Sequence, residues 1–348
     1  MVLNARPATP RATADSDWTA LRREMFMRGR SFEAVVERKW GVCLSPVASG
    51  PCWRPCRSDG FSVPRGPQKR NTPHGVSMAY RWRIDGPSMP PPRPIPYTGH
   101  AVTESPRLHT NRQTVSLSFE TSLIQSCMRL EAPDELVLDY TRAMMGFLLF
   151  EPAPVSVLMI GLGGGSMLKY LHRHLPGADL TTVEINPGVI ELRDDFHIPP
   201  DSERLRIICA DGAAFMAGPP RTYDLILVDG FDGNGLPEVL CSRRFYQHCR
   251  ASLAPRGMLV ANVQADTTQT LEITRRLSHA FRACVITVES DEGGNEIAFA
   301  GAHAVFQDAL AQFDARWATL PAPHQDTLAA CSSRIQRALM KMPRPHPR

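Results

Sequence analysis

The stretch Val155–Ser166 constrains the fold of this chain more than any other segment. Its apolar, β-branched run ends in a cluster of glycines: Gly161, Gly163, Gly164 and Gly165. A buried strand, a glycine turn and a helix N-terminus in that order present backbone N–H groups to a nucleoside cofactor. Glu184 ends the next apolar strand, where a carboxylate can accept hydrogen bonds from a ribose diol. The spacing predicts a nucleoside site, and the alternative is a tight turn with a structural role only.

Strand and helix patterns alternate through the rest of the body. The predicted strands are Thr114–Phe119, Val155–Ile160, Leu180–Glu184, Leu205–Cys209, Tyr223–Asp229, Met258–Asn262, Cys284–Val288 and Glu296–Ala300. The predicted helices are Glu135–Phe150, Ser166–Leu175, Pro187–Phe196, Ala213–Met216, Ser242–Leu253 and Thr268–Phe281. Strands separated by helices form a parallel sheet covered on both faces, and the short final connection makes an antiparallel hairpin. The predicted fold is α/β, a doubly wound, mostly parallel seven-stranded sheet of the Rossmann-like type found in transferases that use S-adenosylmethionine (AdoMet).

The composition divides the chain into regions. Residues 1–110 are rich in proline and carry a net positive charge, whereas the remainder is mildly acidic. Such proline density opposes long helices and interior strands. We therefore predict a mostly disordered basic leader over 1–110, a small strand and helix region over 111–154, an AdoMet-transferase-like catalytic domain over 155–320, and a C-terminal helix and tail over 321–348.

The bulk properties exclude several classes of protein. The chain is 43% hydrophobic and 21% charged, which is ordinary for a soluble globular protein. No apolar run approaches the roughly 18 residues that span a bilayer, and the N-terminus lacks the apolar stretch of a secretory signal. The nine cysteines form no zinc-binding pattern, and Cys209 is predicted to lie in the core. We expect a cytoplasmic protein without a metal, a membrane partner or a nucleic-acid partner, although an organelle-targeting leader stays open.

Acidic residues follow the later strands at the sheet edge where ligands bind. Asp211 and Gly212 follow the third strand of the body, and Asp229 and Asp232 follow the fourth. In open α/β sheets the carboxyl ends of the strands form the ligand crevice. Asp211 would meet the exocyclic amine of adenine, and Asp229 would face the reacting centre. The structural alternatives are a helix cap for Asp211 and a turn residue for Asp232.

From about Gln125 to Ala300 the chain resembles the spermidine synthase (polyamine aminopropyltransferase) family. The motifs that carry the resemblance are the glycine turn, Val183–Ile190, Asp211-Gly212-Ala, Tyr223–Asp229 with Asp232, and Phe245-Tyr246 before Leu253–Gly257. The resemblance implies transfer of an aminopropyl group from decarboxylated AdoMet to a diamine such as putrescine, without a metal. It leaves AdoMet itself open as the donor, and it leaves a homodimer open.

The resemblance also assigns roles by position. The cofactor-binding residues would be Gly161, Gly163, Gly165, Glu184, Asp211 and Gly212. Asp229 would be the catalytic acceptor for the attacking amine, and the residues that bind the diamine would be Asp232, Gln125 and Tyr140.

Some positions differ from the family pattern. Gly164 stands where the family has an aspartate for the amine end of the donor, and Thr141-Arg142-Ala143 replaces a Tyr-His-Glu motif. Alternative functions remain. One is a methyltransferase, which usually has an acidic residue where Met159 stands. Another is a dinucleotide dehydrogenase, which has a glycine where Ser166 stands. The third is a non-catalytic nucleoside-binding relative, which would need neither that acidic residue nor that glycine. We also expect the histidines after the glycine turn, at 172 and 174, to be solvated.

Overall fold

The computed structural model of the protein describes residues 105–119, 124–232, 235–264, 268–291 and 294–342. The strands of this part are β1 (Arg107–Thr110), β2 (Thr114–Ser118), β3 (Ile124–Arg129), β4 (Ser156–Ile160), β5 (Asp179–Glu184), β6 (Leu205–Cys209), β7 (Tyr223–Val228), β8 (Leu253–Gln264), β9 (Val285–Glu289) and β10 (Asn295–Gly301). Its α-helices are α1 (Asp139–Met144), α2 (Ser166–His174), α3 (Pro187–Glu191), α4 (Gly212–Met216), α5 (Arg243–Ala251), α6 (Thr268–Ala280), α7 (His303–Ala311), α8 (Phe313–Thr319), α9 (Ala322–Leu328) and α10 (Ser332–Met340).

The central sheet has seven strands in the order β6-β5-β4-β7-β8-β10-β9. The pairs from β6 to β8 are parallel, and β10 is antiparallel to both β8 and β9. The predicted doubly wound sheet with a final antiparallel hairpin is therefore confirmed. Strand order reverses around β4, so the crevice predicted for a ligand lies at the carboxyl ends of β4, β5 and β7.

Both faces of the sheet are buried. Along β4, Val157 and Met159 belong to one apolar cluster, whereas Leu158 and Ile160 belong to the cluster on the opposite face. This alternation follows from the two-residue period of a strand, and helices cover both sides. Fully burying each of these side chains stabilises the fold by about 1.5–3 kcal/mol. The glycine turn thus extends from one of the most deeply packed strands.

Several predicted elements differ from the observed ones. The helix predicted over Glu135–Phe150 is α1 followed by a 3-10 helix over Met145–Leu149. Gly146 lies within this tighter segment, and a Cβ there would come within 2.5 Å of the Ile335 side chain, so close packing shapes the turn. The helix predicted over Pro187–Phe196 ends at Glu191. Cys209 is exposed because β6 is an edge strand, so its predicted place in the core is wrong.

A second sheet precedes the central one. It pairs β1, β2 and β3 in antiparallel order, and the prediction had only β2. The strand β1 lies within residues 1–110, which we assigned to the leader. It is a strand because it pairs with β2, and this pairing is not visible in the sequence of β1 itself. The rest of the predicted leader, residues 1–104, lies outside the described residues.

The C-terminal helices pack against α2 through a buried polar contact. The Tyr170 hydroxyl lies 2.6 Å from His324 Nδ1, and His324 is 3% exposed. Burial, together with the neighbouring His174, lowers the pKa of His324 to about 4. The His174 ring lies 4.6 Å from the Tyr170 ring. His174 is half-buried, because α9 lies against this face of α2, so the predicted solvation of its side chain is only partial.

In the described part of the chain, no helix has both the length and the apolar character needed to span a membrane.

Candidate active site

The glycine turn joins β4 to α2 through left-handed backbone. Gly161 has φ of 96°, and Gly165, the residue that caps α2, has φ of 64°. A Cβ at Gly161 would lie 2.1 Å from the carbonyl oxygen of Asp229. Only glycine allows the turn to approach β7 so closely, since any side chain would clash. Gly163 also has positive φ, at 53°, and the turn brings the ends of β4 and β7 together as predicted.

Glu184 lies at the end of β5 and binds the glycine turn directly. Its Oε2 accepts from the Leu162 N–H at 2.8 Å, and its Oε1 accepts from the Asn186 N–H at 2.8 Å. The side chain is 8% exposed, and burial raises its pKa while the backbone N–H groups oppose that rise. A carboxylate has about four lone-pair sites, and the backbone partners do not occupy all of them. The Glu184 carboxylate therefore keeps acceptor capacity for a further donor such as a diol hydroxyl.

Asp211 has the structural role that the sequence left open. Its Oδ1 caps α4 by accepting from the N–H groups of Ala213 at 2.7 Å and Ala214 at 2.9 Å. Gly212 is buried, and a Cβ there would lie 2.5 Å from Ile160 Cγ2. Gly212 therefore allows close packing against β4. Asp211 uses only one of its two carboxylate oxygens to cap α4.

Asp229 follows β7 and is half-buried beside the glycine turn. Its Oδ1 accepts from Asn262 Nδ2 at 2.8 Å, and its Oδ2 accepts from the Tyr140 hydroxyl at 3.2 Å. Burial raises the pKa of Asp229, and these two hydrogen bonds oppose the rise. A carboxylate that is oriented by neutral donors and has a raised pKa is suited to share or accept a proton from an amine. Tyr140 thus reaches the site through Asp229.

The two other predicted substrate residues lie at the margin. Asp232 is exposed, and its backbone pairs with Gly235 through an Asp232 N–H bond of 2.9 Å, so it does form a turn. Gln125 lies on β3, and its backbone carbonyl oxygen lies 3.5 Å from the Tyr140 hydroxyl. The structure therefore connects Gln125 to Asp229 through Tyr140, while Asp232 lies further along the segment that follows β7.

Neighbouring side chains enclose the position of Gly164. A Cβ there would lie 2.7 Å from the Phe196 ring and 2.7 Å from the Ser126 Oγ. Ser126 projects from β3, so the small sheet covers the glycine turn. Gly164 therefore packs tightly, and no room is left for a longer side chain without movement of Phe196.

Sequence reasoning missed two asparagines near Asp229. Asn262 on β8 donates to its carboxylate, and Asn295 at the start of β10 donates in turn to Asn262. Asn262 was the last residue of a predicted strand, and no role in the site was assigned to it. An asparagine within an apolar strand interior was the available signal, since a buried amide needs partners. Among the described residues, no group of three or more histidine, cysteine or acidic residues is placed to hold a metal ion.

The sheet order, the glycine turn at its switch point and the acids at the strand ends define a Rossmann-like α/β fold of the kind found in transferases. The family model for the spermine/spermidine synthase domain matches residues 138–289. The chain is 39% identical over 181 residues to a polyamine aminopropyltransferase of Chromobacterium violaceum, which covers 52% of this chain and 69% of that protein. A polyamine aminopropyltransferase of Neisseria meningitidis serogroup A is 39% identical over 182 residues with the same coverage. The chain belongs to this family of transferases.

The fold comparison agrees with that assignment. A probable spermidine synthase from Corynebacterium glutamicum superposes with a TM-score of 0.51 at 18% identity, and the match covers 71% of this chain and 94% of that one. At this level of identity the likeness concerns the fold. The predicted resemblance to the family is confirmed by the sequence relatives, whereas the roles of the single site residues stay predictions.

Proposed function

We propose that this protein transfers an aminopropyl group from decarboxylated AdoMet to a diamine such as putrescine. The observation that carries the proposal is the half-buried Asp229 carboxylate, oriented by Tyr140 and Asn262 beside the glycine turn. The names of the relatives support the same reaction. In this proposal Glu184 accepts from the ribose hydroxyls of the donor with the acceptor capacity that its backbone partners leave open.

The reaction needs a neutral amine. A primary amine with a pKa of about 10 is neutral in roughly one molecule in a thousand at pH 7. The amine nitrogen attacks the methylene carbon beside the sulfonium, the new C–N bond forms as the C–S bond breaks, and sulfur keeps the electron pair as methylthioadenosine leaves. Asp229 accepts or shares the proton that the nitrogen loses, and its raised pKa suits that step.

The cradle fits the nucleoside part of the donor better than its amine end. The glycine turn gives the backbone approach, and Glu184 offers acceptors for a diol. At the amine end, Gly164 supplies no acid, and Phe196 and the Ser126 side chain enclose its position. We therefore propose that the enzyme discriminates weakly between decarboxylated AdoMet and AdoMet.

The test is turnover with purified full-length protein. Decarboxylated AdoMet with putrescine should yield methylthioadenosine and spermidine, and AdoMet with the same amine is the parallel donor. Formation of S-adenosylhomocysteine with a methylated amine would favour the methyltransferase alternative. Nucleoside binding without any product from either donor would favour the non-catalytic relative, and strong selectivity for decarboxylated AdoMet would refute weak discrimination.

The remaining assignments are also proposals. We propose a cytoplasmic enzyme with a small-molecule polyamine substrate, without a metal, and without a membrane or nucleic-acid partner. Whether the protein is a monomer or a homodimer is decided by measuring its molar mass in solution. Dialysis against a chelator should leave turnover unchanged.

A further inference from the structure

A chain of two amides leads from the antiparallel hairpin to Asp229. Asn295 Nδ2 donates to Asn262 Oδ1 at 3.0 Å, and Asn262 Nδ2 donates to Asp229 Oδ1 at 2.8 Å. Ile297 is the register partner of Asn262, so Asn295, two residues earlier on β10, faces the same side of the sheet. Asn262 is 2% exposed, and water therefore cannot readily replace these partners.

The chemistry of the three side chains fixes which atom of each amide donates a hydrogen bond and which atom accepts one. An ionised carboxylate accepts hydrogen bonds only, so Asn262 must turn its NH₂ group toward Asp229. Its carbonyl oxygen then faces Asn295, which must present its own NH₂ group. If Asn295 donated nothing there, the buried Asn262 carbonyl oxygen would lose its partner, and the carboxylate alone would hold the amide. The donor at 295 thus reinforces the orientation that the carboxylate requires of Asn262.

The backbone holds Asn295 in place. Its carbonyl oxygen accepts from the Ser290 N–H at 2.9 Å across the mouth of the β9–β10 hairpin. Its strand neighbours pair with β8 on one side and β9 on the other. The amide therefore originates from a strand that is paired on both edges.

We propose that Asn295 is a positioning residue that orients the Asp229 carboxylate and lowers its proton affinity through Asn262. This inference deepens the proposed function, because it rests on Asp229 as the acceptor for the amine proton. With Asn262 on one oxygen and Tyr140 on the other, the carboxylate plane is fixed, and each oxygen keeps a further lone pair for a substrate amine.

The first experiment measures kcat and KM across pH for Asn295→Leu and Asn295→Asp. We call the two hydrogen bonds from Asn295 to Asn262 and from Asn262 to Asp229 the relay. Loss of the relay raises the pKa of Asp229, so the acid limb of the kcat/KM profile moves to higher pH, by about one unit. We expect kcat at neutral pH to fall by about three- to tenfold with Asn295→Leu and further with Asn295→Asp, while KM for the donor stays within about twofold. The isosteric aspartate accepts from Asn262 and favours its rotation. Glu289→Gln, an exposed change on the same hairpin, is the matched control and should leave the profile unchanged.

The second experiment does not depend on turnover. The carbon-13 shift of the Asp229 carboxyl, assigned by its loss in Asp229→Asn, reports the pKa directly. Asn295→Leu carries no charge, so a rise in the pKa of Asp229 isolates the relay from direct repulsion. In an Asn262→Leu background the same change should have no further effect, because the relay is already broken.

The outcomes separate the two proposals. An Asp229 titration that is the same in wild type and Asn295→Leu overturns the relay, as does a full effect of Asn295→Leu in the Asn262→Leu background. Absence of aminopropyl transfer in the wild type refutes the proposed function, and the Asp229 titration still decides the relay.

Discussion

Replacement of Glu184 by alanine tests the nucleoside site most directly. The carboxylate would accept from two ribose hydroxyls, and a hydrogen bond to a charged group contributes about 1.5–3 kcal/mol. We expect Glu184→Ala to weaken binding of methylthioadenosine by about 1.5–3 kcal/mol in total, because water that enters the space of the missing side chain can accept from one of the two hydroxyls. That loss corresponds to about ten- to 150-fold in Kd.

The same change has a stability cost that follows from the structure. Glu184 also accepts from the N–H groups of Leu162 and Asn186, and alanine leaves both without that acceptor. An unsatisfied buried donor costs about 1–3 kcal/mol, so the free energy of unfolding should fall by about 2–6 kcal/mol. Glu184→Gln keeps one acceptor oxygen, and it should be the better folded of the two variants.

The assay is titration calorimetry with methylthioadenosine on variants whose melting curves show a folded state at the working temperature. Asp179→Ala is the matched control, because it removes a carboxylate from the opposite end of the same strand. Asp179 pairs with Arg221 at the surface, where such pairs contribute about 0–1 kcal/mol. Unchanged affinity in folded Glu184→Gln and Glu184→Ala would refute the ribose assignment.

Four further predictions concern other parts of the molecule. Asp229→Asn should lower turnover by about 10²–10⁴-fold with nucleoside binding retained, and full activity in a kinetic assay would refute the mechanism. Gly164→Asp should destabilise the fold by about 1–3 kcal/mol in urea unfolding, because its Cβ meets Phe196; an unchanged midpoint would show that this ring moves freely. His324 is neutral in the fold with a pKa of about 4 against about 6.5 when unfolded, so stability should fall as pH drops through that window. Urea unfolding should show about 2 kcal/mol lost between pH 7 and pH 5, and this loss should be absent in His324→Gln. Deletion of residues 1–100 should leave Tm nearly unchanged, and a large drop would show a docked element.

Local patterns predicted the centre of the sheet well. The strand, glycine turn and helix around Gly161 depend on neighbours close in sequence, and β4, α2 and β5 were all placed within a residue or two. The same holds for Asp211, whose cap bonds reach only two and three residues along the chain. Interactions over such short separations leave a signature in the sequence itself.

Elements whose limits depend on distant contacts were predicted less well. The strand β8 runs from Leu253 to Gln264 and includes Pro255, whereas the predicted strand began at Met258. Its early residues pair with β7 through a register shift, with Tyr223 opposite Leu253 and Leu225 opposite Met258, which accommodates the proline. A tertiary partner therefore decided the length of this strand.

The candidate site shows the same division at the level of single side chains. Asp229 was found because a strand end, an acid and a glycine turn are visible in sequence. Its partners Tyr140 and Asn262 are 89 and 33 residues away, and only the pairing of strands and helices brings them to its two oxygens. The acid by itself specifies a charge at the crevice, whereas the partners specify its direction and its proton affinity. Substrate choice in this protein should therefore depend as much on the neutral donors from α1 and β8 as on the acids that first identified the site.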